Sequence, residues 1–314
     1  MKKYRAVVIG CGRIGAEEWR YKNNIRPVTH ASAYFRHPKI ELVGLCDIDS
    51  EKLKKTKRFF TDVSLYNSAK KMIEDTKPDI VSVATDTNTH YRFVKMAAEN
   101  GVKAIVCEKP MAGSIKKAES MIKICKKKKC LLFINHSRHF DFLINKWQGR
   151  VQNGFLGRVL QVNCIYHNGL FNNGTHTIDL LRWFLGEAKK ASGVYNFLTS
   201  NSKKDKNIDA VIFFKNGVRA IIQSVTEKIG LTEWVFYGEK GDLALKKLGM
   251  EINYKNYKMG GQRSLVSQMV SHIISCLENK ENPQSTGKDG VEVLKILFAI
   301  KKSAKNNGKI VEIK

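Results

Sequence analysis

The feature that most constrains this chain is a group of three glycines placed directly after its first apolar segment. Residues 4–9, Tyr-Arg-Ala-Val-Val-Ile, are rich in β-branched side chains and have the length of a buried strand. The chain then reads Gly10-Cys-Gly-Arg-Ile-Gly15. Gly10 permits a tight turn, Gly12 lets a pyrophosphate approach the backbone, and Gly15 lets the next helix pack close to the strand. The strand and the glycines together predict a dinucleotide-binding βαβ unit.

The glycine loop supplies the first group of predicted cofactor contacts. The amide groups of the turn that follows the glycines are expected to point at the phosphates, and the helix dipole favours their negative charge. The predicted contacts in this loop are Gly10, Cys11, Gly12, Arg13, Ile14 and Gly15.

Asp47 is the predicted partner of the adenosine ribose. It ends a second predicted strand, residues 40–46, and a carboxylate there accepts hydrogen bonds from the ribose hydroxyls. The alternative is that Asp47 is a turn residue before Asp49. A carboxylate repels a 2′-phosphate, so Asp47 favours NAD, with NADP as the alternative because Lys and Arg side chains lie nearby in the sequence.

The spacing between Gly15 and Asp47 departs from the usual pattern. It is 32 residues here, whereas the acidic residue usually lies about 20 residues beyond the glycines. We interpret the polar segment at residues 17–27 as an insertion at the mouth of the cofactor site, and we expect the helix to resume at Thr29.

Strand-like and helix-like segments alternate as far as residue 134, which predicts a doubly wound parallel sheet. Ligands of such sheets bind beyond the carboxyl ends of the strands. Two loops follow predicted strands at that edge, at residues 85–90 and 108–110. The predicted cofactor contacts in these loops are Thr85, Asp86, Asn88, His90, Glu108, Lys109 and Pro110.

The pattern changes after residue 134. Several strand-like runs follow one another, and Asn216-Gly217 is typical of a hairpin turn. This half is therefore predicted to be an α+β domain with a large, mostly antiparallel sheet. The predicted domains are a dinucleotide-binding domain at residues 1–134 and a substrate-binding and oligomerisation domain at residues 135–314. Helices are predicted at residues 138–152, 175–184, 265–277 and 289–305.

Composition limits the functional class. The net charge is +26, but the lysines are spread along the chain and the run at 126–129 ends a predicted helix, so we predict no nucleic-acid partner. The chain has no apolar run long enough for a membrane span. Seven cysteines without a C-x-x-C pair, and no apolar leader, predict a cytoplasmic protein. The histidine and cysteine spacings predict no metal site.

Three stretches combine into a specific pattern: Gly10-Cys-Gly-Arg-Ile-Gly15, Cys107-Glu-Lys-Pro110, and Gly174-Thr-His-Thr-Ile-Asp179. Together they resemble the glucose–fructose oxidoreductase / inositol dehydrogenase / MocA (Gfo/Idh/MocA) family, over nearly the whole chain. The resemblance implies a Rossmann domain followed by an α/β domain with an open sheet. It also implies NAD(P)-dependent oxidation or reduction of a carbinol carbon, and assembly into homodimers or homotetramers through the open sheet.

The resemblance implies two catalytic residues. Lys109 matches the lysine of the family's Glu-Lys-Pro motif and would stabilise the alkoxide that develops on the substrate. Glu108 would support this loop, and Pro110 would fix its shape with a cis bond. His176 matches the histidine of the second motif, and an imidazole can take the hydroxyl proton as hydride leaves. The alternatives are a surface lysine and a helix-cap histidine.

Four further residues are predicted to bind the substrate: Asn172, Asp179, His167 and Arg138. Asp179 either orients His176 or interacts with the helix N-terminus. Asn172 is a departure, because many sugar and cyclitol dehydrogenases of the family carry an aspartate at that position. An amide can hold a hydroxyl but cannot accept its proton.

The leading hypothesis is an NAD(P)-dependent oxidoreductase acting on a secondary alcohol or ketone carbon of a sugar, sugar acid or nucleotide sugar. The first alternative is a hydrolase or lyase of the same fold that uses NAD without net redox change. The second is a non-catalytic sensor or scaffold that binds the cofactor, and Asn172 is the feature that points to it. A nucleic-acid binder, suggested by the charge, is the third.

Overall fold

The computed structural model describes residues 3–18, 27–200, 202, 204–246, 249–253, 255–258 and 264–314. The chain divides into two compact units, residues 1–141 with 263–291, and residues 142–262 with 292–314. No helix among the described residues is long and apolar enough to cross a membrane. All seven cysteines are buried and free of disulfides.

The strands, in chain order, are β1 Tyr4–Ile9, β2 Ile40–Cys46, β3 Ser64–Tyr66, β4 Ile80–Val83, β5 Ala104–Cys107, β6 Leu131–Ile134, β7 Val159–Tyr166, β8 Ala188–Tyr195, β9 Ile208–Phe214, β10 Arg219–Ser224, β11 Glu233–Gly238, β12 Gly241–Lys246, β13 Gly249–Ile252, β14 Lys255–Lys258 and β15 Val311–Glu312. The helices are α1 His30–Arg36, α2 Ser50–Lys57, α3 Ala69–Thr76, α4 Thr87–Glu99, α5 Ile115–Lys127, α6 Phe142–Gln152, α7 Thr175–Leu185, α8 Leu265–Leu277 and α9 Gly287–Lys305.

The first unit is built on a parallel sheet with strand order β3-β2-β1-β4-β5-β6. Each neighbouring pair is parallel. Strands β4 and β5 and the last four residues of β1 are almost wholly inaccessible to solvent, as their Val- and Ile-rich sequences require. The predicted doubly wound sheet is confirmed. Strand β3 is not among the segments that the sequence pattern predicts, because it is only three residues long.

An excursion of the chain separates the turn that follows the glycines from helix α1. The amide of His30 donates to the carbonyl of Ile14, and the amide of Ala31 donates to that of Gly15, both at 2.9 Å. In a continuous helix the amide bonded to Ile14 would belong to residue 18, four positions later. His30 takes that place, so the helix resumes in register after an excursion of 12 residues. These residues account for the difference between the observed spacing of 32 and the usual value of about 20. Residues 19–26, most of the predicted insertion, lie outside the described residues.

Side-chain caps fix where several helices of the first unit begin. Thr29, Asp49, Ser68, Asp86 and Ser114 each accept an amide hydrogen bond at a helix N-terminus. The loop predicted at residues 85–90 is shorter in the structure. Since Asp86 is the cap, α4 begins at Thr87.

The second unit contains a nine-stranded sheet with order β14-β13-β12-β11-β7-β10-β9-β8-β15. It is antiparallel except between β7 and β10, so the predicted mostly antiparallel sheet is confirmed. The predicted hairpin at Asn216-Gly217 joins β9 to β10, and Gly217 has the positive φ of 89° that this turn requires. One side of the sheet is buried, through residues such as Val162 and Cys164, and the other is half-exposed, through residues such as Asn163.

Two boundaries differ from the sequence analysis. The predicted helix at 138–152 is divided into a 3-10 turn at Ser137–Phe140 and α6, which begins at Phe142. Residues 263–291 belong to the first unit, because α8 packs against α1 and against the 3-10 turn. The domain boundary at residues 134 and 135 remains a prediction.

Candidate active site

The glycine loop folds tightly over the ends of β1 and β4. Gly10 has a φ of 97°, and a Cβ there would lie 2.5 Å from the carbonyl oxygen of Ala84. A Cβ on Gly15 would overlap the carbonyl oxygen of Gly10. Glycine is therefore required at both positions by the fold of the loop itself. The absence of a side chain at Gly15 lets the turn approach the carbonyl group of Gly10, in addition to letting the helix pack close to the strand.

Gly12 is different, because it faces open space. A Cβ there would meet no atom within 4 Å. Within the described part of the chain, the amides of Gly12, Arg13 and Ile14 donate to no other residue. Open space beside three successive donors is the arrangement that a pyrophosphate requires. The glycine loop therefore fits the phosphates of a dinucleotide.

Asp47 is tied to the glycine loop. Its Oδ2 accepts the amide of Cys11 at 2.8 Å and its Oδ1 accepts the amide of Asp49 at 3.0 Å. Each carboxylate oxygen has a second lone pair, so both can still accept ribose hydroxyls. The ammonium of Lys52 lies 3.9 Å from Oδ2. Burial raises the pKa of the Cys11 thiol, which remains uncharged beneath the loop.

A cavity of about 730 Å3 lies at the carboxyl edge of the parallel sheet. Five predicted cofactor residues line it: Gly10, Gly12, Asp47, Thr85 and Asp86. Sequence reasoning missed other lining residues, including Ile48, Lys52, Arg92, Phe93 and Met96. Ile48 is 91 % exposed. An apolar side chain immediately after Asp47, the predicted ribose partner, was the available signal. Apolar groups around a few placed polar groups suit an adenosine.

The remaining predicted contacts in the Thr85 loop lie outside the cavity lining. His90 is buried, with Nε2 at 3.0 Å from the carbonyl oxygen of Thr85 and Nδ1 at 3.2 Å from that of Pro110. The ring therefore joins the Thr85 loop to the loop after β5. The side-chain oxygen of Asn88 lies near Gly113, at 3.1 Å from the position of a Cβ there.

The Glu108-Lys109-Pro110 turn follows β5 at the same edge of the sheet. The Lys109–Pro110 peptide bond is cis, as predicted. Glu108 is buried, and its carboxylate accepts hydrogen bonds from the ring of His30 at 2.9 Å and from the amide of Asn135. Burial would raise the pKa of Glu108, but these hydrogen bonds and the charge of Lys109 bring it below its ordinary value. Glu108 is therefore ionised at neutral pH, beside a half-buried Lys109.

In the second unit, the segment before α7 is one turn of π-helix, Gly169–Gly174. Four successive amides of this segment are bonded to one short loop. The amide of Gly169 donates to Asn207, Leu170 to the Lys206 carbonyl, and Phe171 and Asn172 to the Asp205 carboxylate, at 2.7 to 3.3 Å. Asp205 thus fixes the backbone of Asn172, and the sequence analysis did not single it out.

The other residues predicted from the second motif lie on or next to this segment. His176 and Asp179 lie on α7, the first half-buried and the second almost wholly buried. His167 ends the strand region before the π-helical turn, with Nε2 at 3.3 Å from the Asn173 amide nitrogen. Arg138 belongs to the first unit, in the 3-10 turn after β6. Among the described residues, no group of three or more His, Cys, Asp or Glu side chains could hold a metal ion.

The chain matches two family models that together cover most of it. A model described as "Oxidoreductase family, NAD-binding Rossmann fold" matches residues 4–136, and the GFO/IDH/MocA C-terminal domain matches residues 168–244. The chain belongs to the Gfo/Idh/MocA oxidoreductase family. It is therefore an NAD(P)-dependent oxidoreductase with an NAD-binding Rossmann domain, as the sequence analysis predicted.

Members of the Gfo/Idh/MocA family with assigned activities match along the whole chain. D-apiose dehydrogenase from Paraburkholderia graminis is 22% identical, over 100% of this chain and 91% of its own length. Myo-inositol 2-dehydrogenase from Thermotoga maritima is 25% identical, over 95% and 96%. Among solved structures, the WlbA dehydrogenase from Bordetella pertussis, in complex with NADH and UDP-GlcNAcA, has a TM-score of 0.83. It is 22% identical and covers 100% of this chain and 99% of its own.

Proposed function

We propose that this oxidoreductase transfers a hydride between NAD and a secondary alcohol or ketone carbon of a sugar, sugar acid or nucleotide sugar. The observation that carries the proposal is the Glu108-Lys109-Pro110 turn, a cation held beside a buried carboxylate at the cofactor edge of the sheet. The named relatives act on an apiose and an inositol, and a similar fold has been solved with a nucleotide sugar. These compounds share a carbinol carbon flanked by other hydroxyl groups.

In this proposal Lys109 and His176 are the catalytic residues. NAD, when bound, supplies the nicotinamide carbon that accepts or returns the hydride. The Lys109 ammonium donates a hydrogen bond to the reacting oxygen and stabilises negative charge as it develops there. The His176 imidazole takes the proton of the hydroxyl during oxidation and returns it during reduction.

Four other side chains hold the substrate in the proposal. Asn172 donates and accepts hydrogen bonds to a substrate hydroxyl, on a backbone that Asp205 fixes. His167, Arg138 and Asp179 are the further predicted contacts. The excess of basic residues favours an anionic substrate, such as a sugar acid or a nucleotide sugar.

We also propose that the protein is a cytoplasmic homodimer or homotetramer that assembles through the half-exposed side of the nine-stranded sheet. Neighbouring strands place Val211 opposite Ile221, and Val235 opposite Asn163, in one row on that side. Val211, Ile221 and Val235 are only half-buried. Light scattering during gel filtration tests the assembly, and a monomer at micromolar concentration would contradict it.

The proposed function is tested by a substrate screen. Purified protein is mixed with NAD or NADP and with free sugars, inositols, sugar acids and nucleotide sugars, and formation of the reduced cofactor is followed by absorbance. We expect NAD to be reduced with at least one member, and His176→Ala to slow that reaction by about 100- to 10,000-fold. Product formed without any reduced cofactor would instead support the hydrolase or lyase alternative. Binding of NAD without turnover of any compound would support the sensor alternative.

A further inference from the structure

A row of buried polar groups runs through the first unit to the proposed catalytic turn. The Tyr34 hydroxyl lies 2.7 Å from Ser82 Oγ, Ser82 Oγ lies 3.0 Å from His30 Nδ1, and His30 Nε2 lies 2.9 Å from Glu108 Oε1. Tyr34, Ser82 and His30 are wholly inaccessible to solvent, and Glu108 is 7% exposed. These groups come from α1, β4 and the end of β5, so tertiary structure brings them together.

The hydrogen bond at the Glu108 end of the row has a defined direction. Glu108 is ionised: burial would raise its pKa, but the contacts with His30 and Asn135 and the charge of Lys109 together lower it. An ionised carboxylate only accepts, so the Nε2 atom of His30 carries a hydrogen and donates it. Burial also raises the pKa of the Tyr34 phenol, so Tyr34 keeps its proton and can donate it to Ser82. Ser82 can then donate its own hydrogen to Nδ1 of His30.

The row ends one residue before Lys109. With the Glu108 carboxylate held by His30 and Asn135, the main chain that enters Lys109 has little freedom to shift. On the other side of the turn, His90 faces the carbonyl oxygens of Pro110 and Met111, each at 3.2 Å. Two buried imidazoles, one from α1 and one from α4, therefore hold the turn at both ends.

We propose that His30 is a positioning residue for the reaction, acting on Lys109 through Glu108. It fixes the turn and keeps a negative charge beside the Lys109 ammonium. The inference rests on the catalytic role proposed for Lys109. It is specific to the first unit and does not depend on where the substrate binds.

Three variants separate this role from general support of the fold. His30→Leu removes both ring hydrogen bonds, and His30→Gln keeps an N–H group that can reach Glu108. His272→Leu is the matched control, because His272 is also buried in the first unit and paired with a glutamate, Glu281. Ser82→Ala is a milder fourth variant that leaves the His30–Glu108 contact intact.

The first readout needs neither substrate nor cofactor. Lysine side chains are labelled by reductive 13C-methylation, and the Lys109 signal is identified as the one absent from Lys109→Arg. We expect His30→Leu to shift this signal, His30→Gln to restore it in large part, and His272→Leu to leave it in place. If His30→Leu does not fold, His30→Asn takes its place, because the shorter amide side chain loses the contact with Glu108 and the signal should shift. Ser82→Ala keeps that contact and should leave the signal close to its wild-type position. An unmoved Lys109 signal in a folded variant that lacks the contact with Glu108, His30→Leu or His30→Asn, would overturn the proposal.

The second readout is turnover of a substrate found in the screen. In metal sites, loss of a group that orients a ligand residue typically costs about 10- to 100-fold. We expect a comparable fall in kcat for His30→Leu, while KM and the Kd for NADH stay within about twofold. The conservative His30→Gln should recover most of kcat. The Lys109 signal could respond to His30 while the Lys109→Ala variant remains active. That result would overturn the catalytic role of Lys109 but leave the His30–Glu108 coupling in place. Unchanged kcat in folded His30→Leu would overturn the positioning role.

Discussion

The Asp47 carboxylate accepts a 2.8 Å hydrogen bond from the amide of Cys11. One oxygen of the predicted ribose partner thus anchors the glycine loop, and the same carboxylate borders the cavity that fits an adenosine. The position of the acid and the shape of the loop are therefore coupled. Lys52, 3.9 Å away, offsets part of its negative charge.

This coupling predicts how cofactor preference responds to two substitutions. Lys52→Ala removes the cation beside Asp47 and should strengthen discrimination against NADP. Asp47→Ser removes the charge that repels a 2′-phosphate and should reduce the ratio of NAD to NADP affinity by about tenfold or more, an energy of about 1.4 kcal/mol. Fluorescence titration with NADH and NADPH measures both effects. Equal discrimination in wild type and Asp47→Ser would show that the carboxylate does not select the cofactor.

Gly12 and Gly15 should separate cofactor binding from folding. A Cβ on Gly12 meets no protein atom within 4 Å, so Gly12→Ala should keep the melting temperature of wild type and weaken NADH binding. A Cβ on Gly15 overlaps the Gly10 carbonyl oxygen, so Gly15→Ala should lower the melting temperature. Calorimetry and NADH titration of both variants provide the comparison. Tight NADH binding by Gly12→Ala would place the pyrophosphate elsewhere.

Glu108 should make stability depend on pH. Its pKa is lower in the folded protein than its ordinary value of 4.5, so its ionised form stabilises the fold above that pH. This contribution is lost as the pH falls from about 4.5 through the folded-state pKa. We expect Glu108→Gln to be less stable than wild type by about 1–3 kcal/mol at pH 7, with a difference that narrows below pH 4.5. Urea unfolding at several pH values measures it, and a constant difference would contradict the assignment.

Asp205 should control the mobility of the segment before α7. Its carboxylate accepts the amides of Phe171 and Asn172, so Asp205→Ala should increase hydrogen exchange at these two amides. Asp205→Asn retains one acceptor oxygen and should have a smaller effect. If Asn172 holds the substrate, KM should rise more in Asp205→Ala than in Asp205→Asn. Unchanged exchange at residues 171 and 172 would show that other contacts fix the segment.

The sequence predicted those features that depend on neighbouring residues. The glycine loop and the strand that precedes Asp47 have local patterns, and the structure has both. The helix expected to resume at Thr29 begins one residue later, with Thr29 as its cap. It also indicated that residues 17–27 are inserted, although not that the amides of His30 and Ala31 bond back to the carbonyl groups of Ile14 and Gly15. The exact start of α4 was missed because Asp86 and Thr87 both read as loop residues until the Asp86 cap is seen.

The parts of the candidate site that the sequence did not predict depend on contacts between residues far apart in the chain. His30 and Glu108 are 78 positions apart, and Asp205 and Asn172 are 33 apart. A histidine within a short helix and an aspartate among lysines carry no local sign of such partners. Only the folded chain shows that His30 faces a carboxylate and that Asp205 accepts the amides of Phe171 and Asn172.

The central claim, that this chain performs hydride transfer with Lys109 as a catalytic group, is tested most directly by turnover of Lys109→Ala. The substrate is the one identified in the screen, and NADH binding by the variant is titrated in the same preparation. Lys103→Ala is the control, because Lys103 lies at the opposite end of β5 and pairs with Asp79. We predict a loss of kcat of about 100-fold or more, as for removal of a group that stabilises an oxyanion, with NADH binding retained and Lys103→Ala fully active. A Lys109→Ala variant that binds NADH and turns over at the wild-type rate would contradict the account.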